Sequence, residues 1–78
     1  MNTEKIMKEL EKIYGIEKGR QVYMTIMPGI LADFQNMLKK SPVGEKISEE
    51  YKLEDNKATI ILRGSRKANN EFIIDAEI

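Results

Sequence analysis

The sequence predicts an α+β domain: two N-terminal helices, the second kinked at Pro28, packed on one face of a three-stranded antiparallel β-meander. Three features carry this expectation. Apolar residues recur at three-and-four spacing as far as Lys40. From Ile47 onward they alternate with polar ones. A single break, Ser41-Pro42-Val43-Gly44, separates the two regimes. Residues 1–40 therefore form the helical half and 45–78 the meander of one domain, as the length of 78 residues suggests.

The first helix is expected from Thr3 to Tyr14. Asn2 or Thr3 can cap it, and Glu4 suits the positive end of its dipole. Ile6, Met7, Leu10, Ile13 and Tyr14 share one stripe, and Lys5, Lys8, Glu9, Glu11 and Lys12 fill the wet side. Gly15 reads as a left-handed residue closing the helix, with Ile16 folding back onto the last turn. The second helical stretch runs from Glu17 to Lys39. Val22, Tyr23, Ile26, Met27, Ile30, Leu31, Phe34, Met37 and Leu38 keep their phase across Pro28-Gly29. A proline inside a helix loses a hydrogen bond and clashes with the preceding turn, so one kinked helix or two abutting helices are expected.

In the β half, Asp55-Asn56 suits a two-residue type I′ turn. Pairing across it sets Leu53 opposite Ala58, Tyr51 opposite Ile60, Glu49 opposite Leu62 and Glu54 opposite Lys57. A second hairpin centred near Lys67 then pairs Leu62 with Phe72, Ile60 with Ile74 and Ala58 with Ala76. Ile47, Tyr51, Leu53, Ala58, Ile60, Leu62, Phe72, Ile74 and Ala76 thereby share one face. That face needs a cover, which the helices supply.

Composition argues against several functions. Lysine and arginine number 13, as do aspartate and glutamate, so the positive excess of a dedicated nucleic-acid binder is missing. Without histidine or cysteine there is no zinc-ligand set, no disulfide and none of the usual proton shuttle or thiol nucleophile. Walker, Rossmann and serine-elbow patterns do not occur, and the glycines read as caps and turns. The chain is therefore expected not to be an enzyme and to use no cofactor or metal. The segment Val22–Phe34 is too short to cross a bilayer, and the N-terminus is too charged for a signal sequence, which makes the cytoplasm the expected location.

The outer face of the sheet is polar at Ser48, Glu50, Lys52, Thr59, Arg63, Asp75 and Glu77 but apolar at Ile61 and Ile73. In the expected register these isoleucines lie opposite each other and form a contact patch, with Glu50 and Arg63 as polar neighbours. The last strand, containing Phe72, Ile73 and Ile74, has no lysine or proline to deter pairing at an edge. The leading expectation is a small protein-interaction module, self-associating or binding another protein through the outer sheet face or the C-terminal edge strand. A domain this small buries only about 60–65% of its unfolded surface and gains from a partner subunit.

The first alternative is a winged-helix-like nucleic-acid-binding regulator using the basic second hairpin, with Arg63, Arg66, Lys67, Lys39 and Lys40 as contacts. Glu54 and Asp55 at the wing tip oppose it, because phosphates repel them. The second alternative is a small-ligand binder at the helix kink, where Met24, Met27 and Met37 with Tyr23 and Phe34 offer an adaptable groove.

Overall fold

The computed structural model describes residues 3–53 and 55–78. Helix α1 spans Thr3–Tyr14 and helix α2 spans Ile16–Lys39. Strands β1 (Ile47–Lys52), β2 (Thr59–Ala68) and β3 (Glu71–Glu77) follow in an antiparallel sheet of order β1-β2-β3. This is the α+β meander that the periodicities imply. The N-cap position of α1 lies outside the described residues, as does the Glu54 partner of Lys57.

The two helices join at one residue. The Gly15 N–H donates to the Glu11 carbonyl, and the Gly15 carbonyl accepts from the Gly19 N–H. Gly15 has φ 93 and ψ 162. That combination is open essentially to glycine alone, but it is not the left-handed helical conformation of a Schellman cap. Ile16 therefore does not fold back. It opens α2 and is 63% exposed. Helix α2 continues through Pro28 as a single element.

The core is built from Ile6 and Leu10 of α1, Met27, Phe34 and Leu38 of α2, and Leu53, Ile60, Leu62 and Ala76 of the sheet. Tyr51, Phe72 and Ile74 pack against it while remaining half-exposed. Among the described residues no polar or charged side chain is buried. The core is thus held by apolar burial alone, at roughly 25 cal/mol per Å² of surface removed from water.

The first hairpin has the expected register, with Tyr51 opposite Ile60 and Glu49 opposite Leu62. Its turn is different. The Leu53 carbonyl accepts from the Asn56 N–H, and of Asp55 and Asn56 only Asn56 has positive φ. A type I′ turn needs positive φ at both central residues, so this is a longer loop closed by the Leu53 N–H to Ala58 carbonyl bond.

The second hairpin departs from expectation by four residues. Leu62 pairs with Ala76, Gly64 with Ile74 and Arg66 with Phe72, and the chain turns at Asn69-Asn70 after an irregularity between Arg66 and Ala68. Two physical reasons favour this register. Asn-Asn tolerates a tight turn better than Arg-Lys-Ala does. Gly64 also accepts a close backbone approach: a Cβ there would collide with the Ile73 carbonyl oxygen and stand 3.2 Å from the Phe34 ring. Gly64 and Gly19 are therefore packing positions rather than the caps and turns suggested by composition.

Candidate functional site

The corrected register dismantles the expected contact patch. Ile61 lies opposite Glu77 and Glu50, whereas Ile73 lies opposite Ser65. Four residues of β2, about 13 Å of strand, separate the two positions. The row Ser48–Arg63–Asp75 runs between them, and Arg63 Nη2 donates to Glu77 Oε1 at 2.8 Å. That bond raises the Arg63 pKa and holds the Glu77 carboxyl below the usual carboxylate range. Ile61 is half-buried beside this pair. Ile73 is 59% exposed and borders a shallow depression of about 350 Å³ together with Ser48, Arg63, Ser65 and Asp75. Phe72 and Ile74 point into the helical side of the sheet, since they pair with Arg66 and Gly64 on the inner face.

The basic residues divide: Arg63 stands apart, whereas Arg66 is brought to the end of α2 beside Lys40. Arg63 stands on the outer face, bound to Glu77. Arg66 stands on the inner side, where Nη2 and Nε donate to the Ser41 carbonyl at 2.7 and 3.2 Å. In return the Arg66 carbonyl accepts from the Gly44 N–H, so Arg66 ties the helix-to-strand connection to β2. Lys39, Lys40 and Lys67 are exposed. A winged-helix arrangement also needs a third helix, and α2 is unbroken at Pro28.

The residues of the expected methionine-aromatic groove are divided between core and surface. Met27 and Phe34 are core, whereas Met24 is 74% exposed.

A larger concavity lies elsewhere. An open groove of about 880 Å³ separates α2 from β1. Val22, Ile26 and Ile30 line its helical wall at helical spacing, with Lys18, Gln21 and Thr25 beside them. Glu50, Tyr51, Lys52 and Leu53 supply the strand wall. The groove arises because α1 packs against β3 while α2 spans β2 and the inner side of β1, leaving the outer flank of α2 uncovered. Val22, Ile26 and Ile30 read as core in the sequence because their periodicity matches that of Phe34 and Leu38. Periodicity does not report which part of an apolar stripe finds a partner.

A tyrosine–carboxylate bond braces each end of the groove. The Tyr51 hydroxyl donates to Asp33 Oδ2 at 2.9 Å, and the Tyr14 hydroxyl donates to Asp55 Oδ1 at 2.8 Å. Lys18 and Lys57 each place Nζ near the Tyr14 ring, at 5.7 and 5.6 Å from its centroid. Partial burial, reinforced by Asp33, raises the Tyr51 pKa. The Lys57 backbone N–H, with help from the Tyr14 hydroxyl, lowers the Asp55 pKa.

The sign of the pH dependence follows. A tyrosine with raised folded pKa leaves stability intact below its unfolded value of about 10 and removes it progressively above that. Alkaline titration should therefore lower the stability of the protein, and Tyr51→Phe should reduce that loss. Circular dichroism followed alongside tyrosinate absorbance checks this. An equal loss in wild type and variant would refute it.

The sheet register identifies the free hydrogen-bonding groups of β1. Leu53 donates to Ala58, so the odd-numbered residues 51, 49 and 47 also face their β2 partners with their N–H and C=O groups. Ser48, Glu50 and Lys52 then direct theirs away from the sheet, along the lip of the groove. Sequence reasoning assigned the vulnerable edge to β3 and overlooked this one. The strand order makes both outer strands edges, but only β1 borders the groove.

Among the described residues no cluster of carboxylates could hold a metal ion, and no helix is long and apolar enough to cross a membrane. No protein-family model, curated protein or solved structure matches the chain.

Proposed function

We propose that the protein is a non-enzymatic interaction module that accepts an added β-strand along β1, with side chains of the added strand seated in the α2 groove. The free edge of β1 beside the half-buried Val22, Ile26 and Ile30 carries this proposal. Strand addition uses main-chain hydrogen bonds for affinity and pockets for alternate side chains for selectivity. Here Ser48, Glu50 and Lys52 supply the main-chain groups, and the apolar wall supplies the pocket. The same reading relocates the contact surface away from the outer sheet face, where the Arg63–Glu77 pair interrupts it.

Proline at position 50 tests the edge selectively. The Glu50 N–H points away from β2, so Glu50→Pro removes an outward donor while leaving the β1–β2 ladder whole. A random decapeptide display library panned on wild type is expected to yield extended peptides. Their amide-shift footprint should fall on β1 and on Val22–Ile30, and Glu50→Pro should lose the binding with little change in melting temperature. Peptides that bind Glu50→Pro equally well, or that shift residues elsewhere, would remove the proposal. The groove volume also suits a small apolar ligand, since such sites span roughly 300–1,000 Å³. A ligand of that kind would bind Glu50→Pro unchanged.

A further inference from the structure

We infer that the added strand is the β1 strand of a second copy of this chain, joined about a two-fold axis at Tyr51 to make a six-stranded sheet. The inference rests on the strand-addition reading and names its occupant. Its basis is the charge sequence along β1 and the restriction imposed by symmetry.

Two antiparallel copies of one edge related by an axis perpendicular to the sheet pair residues of the same parity. The possible registers are therefore few. With the axis at Glu49 or at Glu50, a glutamate meets its own copy. With the axis at Lys52, two lysines meet. Each of these sets like charges opposite, which destabilises a strand pair.

With the axis at Tyr51, Glu50 lies opposite Lys52 of the second copy, and Lys52 lies opposite its Glu50. Two complementary pairs form at once, both on the outward face. Glu50 and Lys52 are also the residues whose N–H and C=O groups point outward, so each pair closes main-chain hydrogen bonds as well. On the inner face the two Tyr51 rings meet at the axis. The grooves that flank Glu50–Leu53 in each copy then face one another.

Among axes placed within β1, one other avoids repulsion. An axis at Ser48 sets Glu50 opposite Lys46 of the second copy. It engages only the start of β1, draws on a residue before the strand begins, and leaves the groove near Leu53 open. Strand β3 offers no comparable solution. Its charged residues are Glu71, Asp75 and Glu77, so self-pairing there gains no oppositely charged partner.

The test is a charge swap read by sedimentation equilibrium across a concentration series. Wild type is expected to sediment at twice its 9.0 kDa chain mass at high concentration. Glu50→Lys alone and Lys52→Glu alone each convert two attractive pairs into two repulsive ones and should weaken the dimer about tenfold or more. The double variant Glu50→Lys/Lys52→Glu should recover the wild-type association. Lys46→Glu should leave it unchanged, and circular dichroism should show every variant folded. A strictly monomeric wild type would overturn the inference. So would disruption by Lys46→Glu with indifference to Lys52→Glu, or a double variant no better than its parents. A monomer that still binds displayed peptides in a Glu50→Pro-sensitive manner would overturn self-pairing and leave the strand-addition reading standing. A monomer that binds none would remove both.

Discussion

Phe34→Ala is expected to remove a large part of the folding free energy of this domain. Phe34 is fully buried and the largest side chain in the core. Its ring bridges the layers: it stands on α2 and reaches the sheet at Gly64, 3.2 Å from where a Cβ of that residue would be. Truncating a buried phenylalanine removes its transfer energy and leaves a cavity, at about 3–5 kcal/mol. At roughly 0.05–0.15 kcal/mol per residue, a domain of this length holds only about 4–12 kcal/mol in total. The melting temperature should fall by about 15 °C or more, since each kcal/mol shifts a domain of this size by about 4–8 °C. Thermal and urea melts followed by circular dichroism measure it. A fall of under about 5 °C would mean that the ring does not hold the helices to the sheet.

The second large effect is expected at Gly19. An added Cβ would lie 2.6 Å from both the Cα and the N of Glu11. Those are backbone atoms of α1, so no side-chain rotation relieves the contact and the helix itself must move. Gly19→Ala gains about 1 kcal/mol of helix propensity. Overpacking of about 1–3 kcal/mol or more opposes that gain. The net change is expected to be destabilising by about 1–2 kcal/mol, with loss of the Arg20–Glu11 ion pair now 3.2 Å long. Gly29→Ala provides the contrast. It lies in the same helix with nothing within 4 Å of a new Cβ, and should stabilise by about 0.5–1 kcal/mol. Equal signs for the two substitutions would contradict this packing of α1 on α2.

Local chemistry made much of the fold legible. The bounds of α1, the continuity of apolar phase through Pro28 and the register of the first hairpin all follow from periodicity and a turn signal within a few residues of one another. The second hairpin was not legible for a definite reason. Its observed register differs from the expected one by an even number of residues. An even slip keeps Leu62, Ile74 and Ala76 facing inward, so alternation cannot distinguish the two. The Asn69-Asn70 turn held the missing signal. The candidate site suffered doubly. The pairing of Ile61 with Ile73 depended on that register, and the free edge of β1 depended on knowing which strand the helices leave uncovered.

By itself the sequence determined which residues are helical, which are extended, and which side of each strand turns inward. Those properties depend on neighbours one to four positions away. The tertiary structure alone decided the offset of β3 against β2, the contacts that reserve Gly19 and Gly64 for glycine, and the flank of α2 left open beside β1. Each is a relation between segments far apart in the chain, set by the closest approach of backbones that periodicity does not encode.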